Sequence, residues 1–173
     1  AEAFIRDTAD MTLKPGDWLS ESSLEAETVR SSAVLRNQGF YNFNKNYYFF
    51  EADTLSIPDS AILQLTINEY TRNESPRDAK PIRKFYIDDV NISYPKSLKF
   101  RDKVLRELTT IYPGQVYSAD EISKTYSRLS ALKVFSSVNI GMNQTDTNLV
   151  DCSISLAQSK LQGFKINLES SIN

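Results

Sequence analysis

PGDWLS at residues 15–20 recurs as PGQVYS at residues 113–118, and each copy precedes a segment whose apolar residues recur at helical spacing. The identical pairs in this register are Pro15 and Pro113, Gly16 and Gly114, Ser20 and Ser118, Arg30 and Arg128, Ser32 and Ser130, and Ala33 and Ala131. In both copies a turn, a helix and a strand follow in the same order. Self-similarity of this kind indicates tandem supersecondary units, so we predict two small domains in one chain.

The second copy contains the more complete unit. Residues 85–94 (FYIDDVNISY) are rich in β-branched and aromatic residues, which predicts a strand. Residues 99–111 have helical apolar spacing, and Pro113-Gly114 ends that helix. Ser118 and Glu121 form a candidate capping box that starts a second helix. The predicted buried face of the second helix is formed by Ile122, Tyr126, Leu129 and Leu132.

Two alternating strands complete this copy. The apolar residues of the first are Val138, Ile140 and Met142, and those of the second are Val150, Cys152, Ile154 and Leu156. The polar turn at residues 143–148 separates them. The order is therefore β-α-α-β-β, and we predict an α+β fold of two tandem units, each a three-stranded mixed sheet packed on two helices.

The first copy matches only part of this unit. We predict its helix at about residues 22–38, with Ser22 and Glu25 as a capping box and Gly39 in the left-handed position after the helix. Only residues 1–13 precede the Pro-Gly turn, which is too few for a strand and a helix. We therefore expect the first unit to be incomplete at its N-terminal end and to lack its opening strand.

Domain boundaries follow from the repeat and from local composition. We place the first, truncated unit at residues 1–75, with strands at 46–52 and 61–70, and the second unit at residues 82–159. The polar, proline-containing segment 71–81 links them. Residues after 159 belong to neither copy.

Composition argues against several classes of function. The formal net charge is −2, and no Lys/Arg cluster is interleaved with aromatic residues, so we expect no nucleic-acid partner. The sequence has no histidine, the commonest general base and metal ligand, so we predict no catalytic residues, no metal and no cofactor. The single cysteine, Cys152, lies in an alternating apolar run and is predicted to be a core residue.

Three groups of oxygen-bearing side chains have structural explanations. Asp88 and Asp89 are neighbours on a strand and point to opposite faces, so we interpret them as a solvated strand or bulge. Glu51 and Asp53 share a face, but no EF-hand spacing completes a calcium site around them. Residues 143–148 (NQTDTN) are types that hydrogen-bond their own backbone in a hairpin turn.

A sheet of three strands has edges with unpaired amides and carbonyls, which allows an extended peptide to add as a further strand. The strand at residues 136–143 is the candidate edge, because its outward residues are small. The predicted peptide-binding residues are Ser137, Val138, Asn139, Ile140 and Gly141.

The chain resembles the polypeptide-transport-associated (POTRA) domain over nearly its whole length. The segments that show this resemblance are the Pro-Gly turn at residues 15–20, LRNQGFY at 35–41, FEADT at 50–54 and FYIDDVNI at 85–92. They are similar to the periplasmic POTRA repeats of BamA/TamA-type outer-membrane assembly proteins, especially the TamA-like lipoprotein variants. Val134 stands where this family usually has glycine at the helix exit, so that corner is expected to differ.

The tail at residues 160–173 adds to the resemblance. Its GFKINLESSIN at 163–173 is similar to the first strand of the membrane barrel that follows the last POTRA domain in this family. We therefore expect the chain to continue into an outer-membrane β-barrel.

The resemblance implies a non-enzymatic region on the periplasmic face of the outer membrane. It implies three kinds of partner, namely unfolded outer-membrane protein segments, accessory periplasmic or inner-membrane assembly factors, and the chain's own C-terminal β-barrel. Two alternatives stay open. One is the POTRA region of a two-partner-secretion transporter, and the other is a small-ligand or ion-binding α+β module.

Overall fold

The computed structural model describes residues 10–95 and 102–158. In the first half of the chain, helix α1 spans Glu21–Asn37, and strands β1 (Tyr48–Asp53) and β2 (Ile62–Ile67) form an antiparallel two-stranded sheet. Short 3₁₀ helices lie at Lys45–Tyr47 and Pro76–Asp78. The predicted tail at residues 160–173 lies outside the described residues.

The N-cap of helix α1 lies two residues before the predicted one. Ser20 is the N-cap, and its hydroxyl accepts a hydrogen bond from the Ser23 backbone N–H, while Ser23 reciprocates toward the Ser20 backbone. The prediction of Ser22 and Glu25 was therefore wrong, because several serines in this turn have capping chemistry and Ser20 is the one with extended backbone. At the other end, Gly39 has φ +109°, and the Phe40 N–H donates to the Leu35 carbonyl, as in a Schellman motif.

The second half of the chain forms a three-stranded sheet with helices. Its elements are β3 (Tyr86–Ser93), α2 (Asp102–Leu108), α3 (Ala119–Ala131), β4 (Phe135–Gln144) and β5 (Leu149–Gln158). The strand order is β3-β5-β4, with β3 parallel and β4 antiparallel to the central β5. The predicted fold class is confirmed as α+β, with a three-stranded mixed sheet, a two-stranded sheet and helices.

Helix α3 departs from prediction at its start. Ser118 is the N-cap, but its side chain makes no capping hydrogen bond, and Glu121 instead pairs with Lys124 at 2.7 Å. The Asp120 N–H donates to the Asn37 side-chain oxygen at 2.9 Å, so a residue of α1 caps α3. The predicted capping box was wrong, because neither Ser118 nor Glu121 makes the expected contact and the capping oxygen at the neighbouring amide comes from a residue distant in sequence.

The buried face of α3 also differs from prediction at one position. Tyr126 is 51% exposed, whereas Thr125 is buried. The Thr110 N–H donates to the Thr125 hydroxyl at 3.0 Å, which gives this polar side chain a partner inside the structure. Leu129 is fully buried, as expected.

Two separate clusters of buried apolar residues support the two halves. The smaller cluster contains Leu35, Phe43 and Tyr48. The larger cluster contains Phe85, Ile87, Leu105, Ile111, Tyr117, Leu129, Val150, Cys152, Ile154 and Leu156. The central strand β5 therefore alternates as predicted, with its apolar residues in the core. Within residues 10–95 and 102–158, no helix is long and apolar enough to cross a membrane.

The two Pro-Gly segments have different surroundings. In the second copy, the Tyr117 N–H donates to the Phe85 carbonyl at 2.9 Å, and the Tyr117 side chain is buried. In the first copy, Trp18 is 96% exposed. No described strand lies where β3 would in the first half of the chain, so the apolar residues of this turn have no comparable strand to pack on.

Candidate functional site: the edges of the three-stranded sheet

The five predicted peptide-binding residues all lie on β4, one of the two outer strands of the sheet. Among the described strands, β4 pairs only with β5. The register opposes Val138 to Leu156, Ile140 to Ile154 and Met142 to Cys152. The other side of β4 therefore has no described strand partner.

Ladder geometry decides which backbone groups of β4 face outward. The Thr145 N–H donates to the Leu149 carbonyl at 3.1 Å at the closed end of the hairpin. In an antiparallel ladder, hydrogen-bonded and non-hydrogen-bonded pairs alternate. Continued along the observed register, the bonded pairs fall at odd positions of β4. Val138, Ile140 and Met142 therefore direct both their N–H and C=O groups away from β5.

The side chains of β4 divide between the two faces of the sheet. Val138 and Ile140 pack against the large core cluster. Ser137 and Asn139 are exposed on the opposite face. A Cβ on Gly141 would come within 3.0 Å of the Ser153 hydroxyl oxygen, so glycine here permits close approach to β5. β4 (Phe135–Gln144) has no charged side chain, although charges are one of the common protections of an edge strand.

The opposite edge, on β3, is covered at its start by the Pro-Gly segment. The Ile87 N–H donates to the Gln115 carbonyl at 2.8 Å, and the Gly114 N–H donates to the Ile87 carbonyl at 2.7 Å. A register shift between Ile87 and Val90 contains Asp88 and Asp89, which agrees with the predicted bulge. Proteins commonly protect the outer strands of a sheet from further pairing with a covering segment, a β-bulge or charged side chains. β4 is therefore the more open of the two edges.

Tyr41, from the segment after α1, contacts the far end of the β4 edge. Its hydroxyl donates to the Met142 carbonyl oxygen at 2.9 Å. Its ring packs edge-on against Phe85 and Tyr117, with centroids 5.7 and 5.0 Å away. Sequence reasoning missed this contact, since the residues are far apart in the chain and the resemblance gave Tyr41 no individual role.

Two titratable groups have a pKa shifted by their surroundings, one on β5 and one at the end of β1. Burial raises the pKa of the Cys152 thiol to about 11, as expected of a core residue. Asp53 accepts hydrogen bonds from Ser56 and from the backbone N–H groups of Leu55 and Ser56, which lower its pKa. Within the described parts of the chain, no three His, Cys, Asp or Glu side chains cluster as metal ligands.

A cavity of about 340 Å³ lies beside the β4–β5 hairpin. Its lining comes from residues 40–47 after α1, the linker at 80–83, Phe85 just before β3, and the hairpin residues Gln144 and Thr147. Its lining includes aromatic rings together with the side chains of Lys80 and Arg83. The cavity therefore lies where the two halves of the chain meet, next to the end of β4.

Comparison with known proteins places this geometry in a structural context. Residues 85–157 match the POTRA family model, described as "Surface antigen variable number repeat". The fold is similar to that of Haemophilus ducreyi BamA lacking POTRA domains 1–3, with TM-score 0.61 and 15% identity over 88% of this chain and 27% of that one. It is also similar to Haemophilus influenzae BamA POTRA3–5, with TM-score 0.54 and 14% identity over 90% of this chain and 57% of that one.

The chain thus spans about a quarter and somewhat more than half of these two structures. No curated protein sequence gives a significant match to the chain. At these identities the structural likeness defines the fold alone, and the family model matches residues 85–157, which is less than half of the chain.

Proposed function

We propose, from the POTRA domain at residues 85–157, that the chain is a non-enzymatic periplasmic region of an outer-membrane β-barrel protein assembly or translocation factor. Its β4 edge docks extended segments of unfolded outer-membrane proteins, or of accessory periplasmic or inner-membrane factors, by β-augmentation. The chain's own C-terminal β-barrel is the third partner. The single observation that carries this proposal is the contrast between the open β4 edge and the covered β3 edge.

The proposed domain organisation is a truncated POTRA-like unit at residues 1–75 and a second unit at 82–159. The two separate core clusters and the two sheets support this division. We further infer a TamA-like lipoprotein variant, on the resemblance of residues 35–41 and 50–54. Mass spectrometry of the natural full-length protein tests this finer assignment, because a lipoprotein carries an acylated N-terminal cysteine.

The proposed binding mode predicts that affinity comes from backbone pairing. A synthetic peptide of alternating valine and threonine with a lysine at each end is a suitable probe, since it is extended and has no catalytic chemistry. Titration followed by amide NMR should perturb Val138 and Ile140 more than any position of β3. Asn139→Lys adds an edge charge and should weaken binding of this cationic peptide by about tenfold, because like charges beside an incoming strand repel.

Asn91→Lys is the matched control, because Asn91 is an exposed asparagine on the other outer strand of the same sheet. It should leave peptide affinity unchanged. Equal loss of affinity in both variants, or amide perturbation centred on β3, would contradict docking on β4. Absence of binding to the wild-type chain at millimolar peptide would contradict augmentation altogether.

A further inference from the structure

The contact between Tyr41 and Met142 uses a backbone group that strand addition also requires. The ladder places the Met142 carbonyl on the side of β4 that faces away from β5, and the Tyr41 hydroxyl already donates to it. An antiparallel strand added to β4 would form bonded pairs at Val138, Ile140 and Met142. The third pair needs the Met142 carbonyl as an acceptor, so it competes with Tyr41.

The Tyr41 side chain is held in this position from several sides. Its ring packs between Phe85 and Tyr117, and the Phe85 N–H donates to the Gly39 carbonyl at 2.9 Å. Burial raises the pKa of the Tyr41 hydroxyl, and Tyr117 adds to this, so the hydroxyl stays protonated and donates at neutral pH. The segment after α1 is thereby anchored to the second sheet by backbone and side-chain contacts.

We propose that Tyr41 is an edge stop, which ends an added strand after Ile140 and restricts the acceptor edge of β4 to Val138 and Ile140. This inference rests on the proposed function, since it describes how far a docked peptide extends. The first half of the chain thereby sets the length of segment that the second half accepts. Short extended segments form all the available backbone hydrogen bonds to Val138 and Ile140, and longer segments form no additional hydrogen bond at Met142.

Tyr41→Phe tests the edge stop, because it removes the donor and keeps the ring. Alternating valine/threonine peptides of about four, six and eight residues are titrated into the chain, and amide NMR reports where they pair. In the wild type, affinity should stop rising once the peptide covers Val138 and Ile140. In Tyr41→Phe, the longer peptides should bind about two- to tenfold more tightly, the effect of one additional hydrogen bond, and perturbation should extend to the Met142 amide.

Tyr117→Phe is the matched control, since it also removes a tyrosine hydroxyl and Tyr117 packs against the same ring. It should behave like the wild type, and thermal unfolding confirms that each variant remains folded. Peptides that bind wild type and Tyr41→Phe with the same length dependence would overturn the edge stop and leave the proposed function intact. Peptides that bind neither protein would overturn both. Peptides that bind only Tyr41→Phe would overturn the edge stop, because short peptides should pair with Val138 and Ile140 of the wild type.

Discussion

Of the four described glycines, Gly39 leaves the least room for a Cβ atom. It has φ +109°, and a Cβ placed on it would lie 2.8 Å from Val116 Cγ1 and 3.2 Å from Lys84 Cβ. Gly39→Ala therefore has two costs. A non-glycine residue at positive φ costs about 1–2 kcal/mol, and overpacking against a fixed neighbour costs about 1–3 kcal/mol more. We expect the free energy of unfolding to fall by about 2–5 kcal/mol.

Two other glycines separate these contributions. Gly16 and Gly114 also have positive φ, at +91° and +81°, but an added Cβ at either would meet nothing within 4 Å. Their alanine variants should lose only about 1–2 kcal/mol, the backbone part of the cost. Urea unfolding followed by circular dichroism measures all three variants, and an unchanged m-value shows that the difference lies in stability.

A second substitution tests whether the contact with Val116 causes the extra loss of stability in Gly39→Ala. Val116→Ala removes the nearest atom, so its combination with Gly39→Ala should recover part of the steric cost, with a favourable coupling of at least about 0.5 kcal/mol. Lys84 remains nearby, so recovery should be incomplete. If Gly39→Ala lowers the free energy of unfolding no more than Gly16→Ala and Gly114→Ala do, the close approach between Gly39 and Val116 does not affect stability and the reasoning is refuted.

Three further substitutions have defined outcomes. Burial raises the pKa of Glu27, but hydrogen bonds from Arg30 and Thr12 outweigh burial and lower that pKa below 4.5. The ionised Glu27 therefore stabilises the folded state above about pH 4.5, and this contribution is lost as the pH falls through the native pKa. Urea unfolding at several pH values should show this loss of stability at acid pH in the wild type and not in Glu27→Gln. Lys133 has φ 55°, so Lys133→Gly should raise the melting temperature, with a gain of about 1 kcal/mol. Thr125→Val leaves the half-buried Thr110 N–H without its acceptor and should cost about 1–3 kcal/mol in urea unfolding, whereas exposed Ser127→Val should cost less than about 1 kcal/mol.

Patterns that depend on neighbours in sequence predicted most of the fold. The alternation in β4 and β5 follows directly from burial on one face, and Pro113-Gly114 marks a true turn. Gly39 takes the positive φ expected after a helix. These features need only local geometry and hydrophobic periodicity, so one sequence was sufficient to predict them.

Features that depend on distant partners were mispredicted or missed. Ser118 has the residue type of a cap, but Asn37 supplies the oxygen that the Asp120 N–H requires. Tyr126 has the apolar character expected on a buried face, but Thr125 occupies the interior because Thr110 satisfies its hydroxyl. Hydrophobicity alone cannot anticipate such pairs.

The Val134 corner shows a third kind of difference. The positive φ after α3 belongs to Lys133, whereas in the first copy it belongs to Gly39. The absence of glycine at Val134 therefore moves the strained residue to the preceding position without removing the helix exit. This agrees with the expectation that the corner differs, and it explains why Lys133 is the residue to substitute.

The two copies differ most in what their Pro-Gly segments contact, and this difference bears on specificity. In the second copy the segment covers the start of β3, which leaves β4 as the open edge.

In the first half of the chain, β1 and β2 are both outer strands among the described residues. β1 carries Glu51 and Asp53, and Arg72 Nε donates to the Tyr48 carbonyl at 3.2 Å, so charge and a side-chain cap protect that edge. β4 spans Phe135–Gln144 without a charged residue, and its only described cap is Tyr41. We therefore expect an extended segment to pair more readily with β4 than with β1 or the start of β3, up to the position where we propose that Tyr41 stops it.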